Sequence, residues 1–353
     1  MSDQPLRVAI VGYGLAGSVF HAPLVAATAG MTVSAVVTSN AERASQARLA
    51  YDGVRVFDSV DEVWPRADEI DLVVIATPNR LHAPIAHAAI AAGVPVVVDK
   101  PFAVTVGEAQ SVVDAAAAHG VPLSVFQNRR WDGDFLTLQR LLGEGALGDI
   151  TRFESRFERW RPVIKDGWRE SGDEADAGGL LFDLGAHLID QALVVFGPVT
   201  QVYAEIDERR EGVQTADDVF VALTHVSGVR SHLWCSAVAS DLAPRLRVLG
   251  SRAAYVKHGL DVQEDALRAG GRPDRDATWG NENETQWGTL GVGDDATPVA
   301  TEAGAYQRYY AGVAVALRGE GPLPVDPRDS IEGLRIIEAA RRSHEQRQVV
   351  VLG

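Results

Sequence analysis

The sequence predicts an α/β chain in two parts. A doubly wound parallel sheet comes first, and an α+β part with a largely antiparallel sheet follows it. Three observations carry this. Short apolar runs alternate with helical segments from Arg7 to Phe126, a glycine-rich turn Gly12-x-Gly14-x-x-Gly17 closes the first of those runs, and successive strand-like runs without intervening helices dominate the later sequence. At 353 residues the chain exceeds the roughly 250–300 at which a single core stops growing, so two domains are expected. The expected division is 1–127 and 128–353, with the last helix free to pack back on the first domain.

In the first part, Arg7 to Val11 reads as a β-branched strand and Met31 to Val37 as the second. Asn40 is placed to cap a helix over Ala41 to Ala50. Asp71 to Ala76 is a fully apolar run of the buried parallel type, closed by Thr77-Pro78-Asn79 and followed by an Ala-rich helix from Pro84 to Ala92, which Gly93 stops. Val94 to Val98, the helix Val106 to His119 and the strand Pro122 to Phe126 complete the alternation. In such a sheet ligands bind at the carboxyl ends of the strands, where Thr77, Pro78, Asn79, Asp99, Lys100, Gln127 and Asn128 fall.

Beyond Asn128 the pattern predicts a helix over Asp134 to Leu142, a strand at Asp149 to Arg159 and a helix over Gly179 to Phe196. Four strand-like runs follow, at Thr200 to Ile206, Asp217 to His225, Arg230 to Val238 and Pro244 to Lys257. Gly259 to Gly304 reads as a long solvated loop, because ten acidic and three basic residues lie between Asp261 and Glu302. Tyr306 to Leu317 and a last helix started by Asp326-Pro327 close the chain.

Composition excludes several function classes. The net charge of −15, with no basic stripe, argues against nucleic acid as a partner. No apolar run of the roughly 18 residues a bilayer requires is expected, and the first strand begins too early to leave room for a signal segment, so the reading is cytoplasmic with no membrane partner. Cys235 is the single cysteine, which leaves no intrachain disulfide or Cys-rich zinc site; it reads as a small buried hydrophobe, and no metal is expected.

The glycine turn carries the first chemistry. Strand, GxGxxG and helix start in that order form a dinucleotide site: Gly12 makes the turn, Gly14 lets the backbone of the Tyr13-Gly14-Leu15-Ala16 segment approach a pyrophosphate, and Gly17 lets the helix lie close on the strand. NAD-selective sites place an acid about 20 residues beyond the glycines to hold the ribose hydroxyls. Here Thr38, Ser39 and Asn40 stand there instead, with Arg43 one turn on, which tolerates and pairs a 2'-phosphate. The expected cofactor is therefore NADP over NAD.

Two constellations remain. Lys100 closes a buried parallel strand between Asp99 and Pro101, and Asp183 and His187 lie four apart on one expected helical face, behind Gly178-Gly179. Val-Asp99-Lys100-Pro101, Ala76-Thr77-Pro78-Asn79-x-x-His82 and Gly-Gly-x-x-x-Asp183-x-x-x-His187, following the Gly12 motif, resemble the Gfo/Idh/MocA family of nicotinamide-dependent oxidoreductases. Gly-Ser18-Val-Phe-His21-Ala-Pro23, Gln263-Glu264-Asp265 and Trp279-Gly280 are similar to its NADP-dependent scyllo-inositol dehydrogenase branch. Asp99 departs from the commonest pattern, which has Glu before Lys-Pro. The resemblance implies a Rossmann domain, a site in the cleft between the two domains, catalytic roles for Lys100, Asp183 and His187, and cofactor contacts at Thr77, Pro78, Asn79, His82, Asp99, Lys100 and Asn128.

Arg129, Trp131, Arg159, Trp160, Arg161 and Trp168 open the second part, and planar donors with aromatic faces suit a ring polyol. The expected substrate is a cyclic polyol or sugar, with inositol leading and a homodimer or homotetramer as the assembly. A sugar-acid or other carbonyl enzyme of the same fold and a cofactor-sensing regulator are the competing readings. Retention of Lys100, Asp183 and His187 together speaks against the regulator.

Overall fold

A computed structural model describes residues 4–164 and 167–353. The first sheet has six parallel strands: β1 (Leu6–Val11), β2 (Met31–Val37), β3 (Arg55–Phe57), β4 (Leu72–Ile75), β5 (Val96–Asp99) and β6 (Leu123–Phe126). Their order is β3-β2-β1-β4-β5-β6, which reverses direction between β1 and β4 and opens a crevice at their carboxyl ends. Helices α1 (Ala22–Ala26), α2 (Ala41–Ala50), α3 (His82–Ala91) and α4 (Val106–His119) connect the strands. Caps set two of these starts: Asn40 accepts from the Arg43 N–H and Thr105 from the Glu108 N–H. The strand centres are wholly buried, with Val8, Ala9, Ile10, Val73, Val74, Ile75, Val97 and Val98 at 0% exposure, as a sheet covered on both faces requires. β3 escapes the sequence pattern because three residues are too few to show a period.

The later sheet is built on β7 (Ile150–Glu158), after α5 (Gly133–Gly143). Next come a π-helical turn at Leu181–Gly185, α6 (Ala186–Phe196), β8 (Val199–Asp207), β9 (Asp218–His225), β10 (Arg230–Ser236), β11 (Leu246–Gly250) and β12 (Ala254–Lys257). The single run expected from Pro244 to Lys257 is in fact this last antiparallel hairpin, turned at Ser251-Arg252. Along β9 the buried residues are Val219, Val221, Leu223 and His225, the period of two that marks one covered face.

The stretch expected as a solvated loop is instead structured: it contains α7 (Gln263–Arg268), β13 (Gly288–Gly291) and β14 (Thr297–Val299). Its few buried anchors, Gln263, Leu267 and Trp279, are too sparse to register against ten acids in a periodicity count. α8 (Gln307–Leu317), α9 (Pro327–Gln346) and β15 (Val350–Val351) end the chain. The second sheet thus has nine strands in the order β14-β13-β12-β11-β7-β10-β9-β8-β15; β7 with β10 is parallel and the remaining pairs are antiparallel.

Packing divides the chain into two compact units. One contains the residues up to Asn128 with 263–279 and 305–331; the other contains 129–262, 280–304 and 332–353. The helices that return to the nucleotide unit are therefore α7 and α8, while most of α9 belongs with the second unit. Ser124 of the edge strand β6 donates to the Val325 carbonyl at 2.9 Å and accepts from the Tyr309 hydroxyl at 3.0 Å, so the returning segment packs on the face of β6 that carries this side chain.

One stretch, Glu174–Phe196, is long and apolar enough by length and composition to cross a membrane, contrary to the expectation from the sequence. Of its most apolar window 67% is buried inside the protein, and Ala177 and Gly179 at positive φ interrupt it, as befits a core helix with its lead-in.

Candidate active site

The three glycines of the first turn separate by what a side chain would meet. At Gly12 (φ +94°) a Cβ would lie 2.5 Å from the Ala76 carbonyl oxygen, so the turn is pressed against the end of β4. At Gly17 it would lie 2.0 Å from the Gly12 carbonyl oxygen and 3.3 Å from Ile10, so the helix lies directly on β1. At Gly14 φ is ordinary, and the nearest atom is the Arg43 guanidinium at 3.9 Å. Protein packing explains the first and third glycines but not the second. The open side of Gly14 fits the close approach of a pyrophosphate, and the donors that would hold it are the N–H groups starting the π-helical stretch Ala16–His21.

Around that turn, Leu15, Ser39, Asn40 and Arg43 are exposed. Thr38 is buried and its hydroxyl accepts from the Asn40 N–H, which shapes the end of β2 without an acid. Tyr13 turns inward at 4% exposure, its hydroxyl bonded to Tyr51, so it belongs to the wall behind the turn.

The ends of β4 and β5 are held by a single imidazole. His82 is 1% exposed, with Nδ1 2.8 Å from the Pro101 carbonyl and Nε2 3.0 Å from the Thr77 carbonyl. Burial holds it below the ordinary histidine value, against the opposing pull of Asp99 and these carbonyls. A neutral imidazole carries one N–H, so it donates to one of these two carbonyls and packs against the other, between the Thr77-Pro78 and Lys100-Pro101 turns. Thr77 and Pro78 are half-buried, while Asn79 and Asn128 are buried at 2% and 5% exposure. Lys100 is half-buried, and its N–H donates to Asp99 Oδ1 at 2.9 Å. Burial raises the Asp99 carboxyl, but His21, Lys100 and His82 outweigh it and hold the group below the usual carboxylate range.

In the second unit, Asp183 sits in the π-helical turn Leu181–Gly185, and His187 follows in the first turn of α6. A continuous α-helix was the expectation; the extra residue of a π turn is a feature common at functional sites. Asp183 lies 3.4 Å from the Arg169 guanidinium, which covers the Trp168 ring at 4.3 Å. The glycine pair makes this possible. A Cβ on Gly178 would lie 2.6 Å from the Ser171 carbonyl and 3.1 Å from that of Arg169, so only glycine lets the Trp168–Glu170 turn lie so close. His187 is buried at 5% exposure, its ring 6.3 Å from that of Phe157.

The candidates for substrate contact scatter. Arg129 is only 6% exposed; it pairs with Asp132 at 3.6 Å and stacks on Phe157 at 4.7 Å, with Arg245 on the same ring at 4.3 Å. It packs largely within the second unit, between Asp132 and the Phe157 ring. Arg159 and Arg161 are anchored by main-chain bonds to Ser236 and Ala237, which leaves Arg161 and Trp160 exposed. Trp131 and Trp168 are half-buried.

The family described as "Oxidoreductase family, NAD-binding Rossmann fold" matches residues 6–127, and the "GFO/IDH/MocA C-terminal domain" matches 135–256. The chain belongs to the Gfo/Idh/MocA oxidoreductases. The uncharacterized oxidoreductase YdgJ of Escherichia coli (strain K12) is 40% identical, covering 100% of both chains. The scyllo-inositol 2-dehydrogenase (NADP(+)) IolW of Bacillus subtilis (strain 168) is 36% identical over 98% of this chain and 96% of its own. The solved structure of the oxidoreductase yvaA from Bacillus subtilis superposes with a TM-score of 0.93 at 35% identity, covering 100% of both chains.

For a Gfo/Idh/MocA chain, sequence reasoning missed two things that the structure supplies. Arg169 adjoins a named candidate, Trp168, but nothing in the sequence links it to Asp183. The other was legible by counting: lysine occurs only at 100, 165 and 257 among 33 cationic residues. At Lys257 the ammonium forms a buried ion pair with Glu282 at 3.1 Å.

Proposed function

We propose that this oxidoreductase prefers NADP and moves a hydride between its nicotinamide and a secondary alcohol or ketone of a cyclic polyol or sugar, with an inositol as the leading substrate. One observation carries the cofactor choice. The end of β2 offers Thr38, Ser39 and Asn40 in place of an acid, with the exposed Arg43 in the first turn of α2, so a 2'-phosphate there would meet hydroxyl and amide groups and a nearby cation. The IolW relative, named for NADP(+), supports the same choice. Inositol rests on that relative, and the sugar class also on a D-apiose dehydrogenase that is 27% identical.

When bound, the nicotinamide supplies the hydride acceptor or donor. The chain's own part is acid–base and electrostatic. In the second unit His187 takes the hydroxyl proton and Asp183, beside Arg169, accepts a hydrogen bond from a ring hydroxyl, while in the nucleotide unit Lys100 supplies the positive charge that favours an alkoxide.

Titrating the protein with NADP and NAD, and assaying scyllo-inositol, myo-inositol, apiose and a sugar acid with each, tests the reading. Tighter NADP binding and turnover of an inositol are expected, and Ser39→Asp should move preference toward NAD. Tighter NAD binding by the parent protein refutes the cofactor assignment; turnover confined to the sugar acid refutes the polyol.

A further inference from the structure

We propose that His21 and Tyr310 form a positioning relay that orients Asp99 and, through it, Lys100. The relay rests on the catalytic role given to Lys100 above. All four residues belong to the nucleotide unit, and they arrive on three separate elements: the π-helical stretch after the glycine turn, the end of β5, and α8 from 289 residues further along.

The geometry forms an ordered chain. The Tyr310 hydroxyl is 2.6 Å from His21 Nδ1, His21 Nε2 faces Asp99 Oδ1 at 3.6 Å, and that same oxygen accepts the Lys100 N–H at 2.9 Å. Direction follows from chemistry. Asp99 is held ionised and only accepts, so the imidazole turns its N–H toward it through Nε2. Nδ1 is then left as an acceptor, and it takes the Tyr310 O–H. Burial pushes the Tyr310 phenol well above its ordinary value, so it stays a donor at any working pH.

Volume alone does not account for these side chains. His21 and Tyr310 are both 0% exposed, against Phe126, whose ring is 4.4 Å from the imidazole. Leucine and phenylalanine would fill that space without desolvating polar groups. A histidine oriented by a third group is the means by which proteins fix a tautomer and a direction. Here the last member of the line is the residue bonded to the Lys100 main chain, and it is an aspartate, one methylene too short to reach far by itself. The relay keeps Asp99 charged and aimed, and so keeps Lys100 in place beside an anion.

The test uses Tyr310→Phe, His21→Leu and His21→Gln in the full chain; glutamine can still donate to Asp99 and accept from Tyr310. With NADP and the best polyol, Tyr310→Phe and His21→Leu are expected to lower kcat about tenfold, leave KM for NADP within about twofold, and move the basic limb of kcat/KM to lower pH, while His21→Gln recovers most of the loss. Without substrate, an amine-reactive acyl reagent at pH 8 should label Lys100 severalfold faster in Tyr310→Phe and His21→Leu than in the parent or His21→Gln. Peptide mapping reads this directly, because the chain has three lysines. Lower melting temperatures with unchanged labelling and an unmoved pH limb overturn the relay and leave both residues as core packing. A parent protein that turns over no polyol overturns the functional reading instead, and the labelling then decides the relay by itself; if His21→Leu fails to fold, Tyr310→Phe carries the comparison.

Discussion

The two units use charged side chains in opposite ways. In the nucleotide unit the cation nearest the glycine turn, Arg43, is exposed, and the turn itself is built from backbone. In the second unit several arginines are turned inward. Arg130 grips Asp190 with two bonds of 2.6 and 2.8 Å, and Arg245 lies 3.5 Å from Asp134 while bonding Ser155 and, at 2.9 Å, Gln191. A backbone site leaves its record in the sequence as glycine spacing. An internal ion network leaves only residue types, which look the same whether they face a substrate or each other.

The largest effect should come from breaking that network. Arg245→Leu leaves Asp134, wholly buried, without its ion partner and is expected to cost about 3–5 kcal/mol in urea unfolding, with Arg129→Ala close behind and no selective change in substrate KM for either. A KM effect at full stability in Arg129→Ala would return that residue to the substrate site and erase the contrast.

Next come the glycines. Gly17→Ala forces a methyl to 2.0 Å from a carbonyl oxygen, and is expected to destabilise by about 2–3 kcal/mol or more and to abolish cofactor binding. Gly14→Ala places its methyl in open space, so the melting temperature should hold while NADP affinity falls about 10- to 100-fold. Equal thermal losses in the two variants would mean that Gly14 too is there for packing.

Smaller still is the pH dependence. His82 in one unit and His225 in the other are both held below the ordinary histidine value by burial. The unfolded chain therefore binds protons that the folded chain does not. The stability due to each is fully present above about pH 6.5 and is lost as pH falls toward the depressed folded value, by up to about 1.4 kcal/mol per pH unit per histidine. Urea midpoints at pH 7.5 and 5.5 measure it. A midpoint that rises on acidification would show these imidazoles to be charged in the fold. The mildest change expected is Arg169→Gln, which removes one half-exposed ion pair from Asp183; KM for the polyol should rise a few-fold with stability within about 1 kcal/mol.

How much was legible follows the same division. β2, α2 and α4 fall where the apolar period and, for α2, the Asn40 cap put them, because local capping and burial on both faces act within a few residues. Gly12, Gly14 and Gly17 were each assigned a separate task that the packing around them now distinguishes. What the sequence hid was pairing at a distance. Arg169 with Asp183, His21 with Tyr310 and the strands within 280–304 depend on which segments the fold brings together, and no local pattern encodes that. His82 shows the limit from the other side: the motif marks its position, while the two backbone carbonyls that its ring faces, one of which takes its single N–H, lie on segments that only the fold brings together.

The return of α8 to the first unit has a consequence for how the chain comes off the ribosome. When residues up to Asn128 have emerged, the strands β1 to β6 are all present, yet His21 Nδ1 and the Ser124 hydroxyl still lack partners that are encoded beyond residue 305. The nucleotide unit can collapse early, but the side chains of β6 and of the stretch after the glycine turn gain these partners only after nearly the whole chain has been made. A fragment ending at Asn128 should therefore expose β6 and aggregate, and adding 305–331 in trans should rescue it more than any added cofactor.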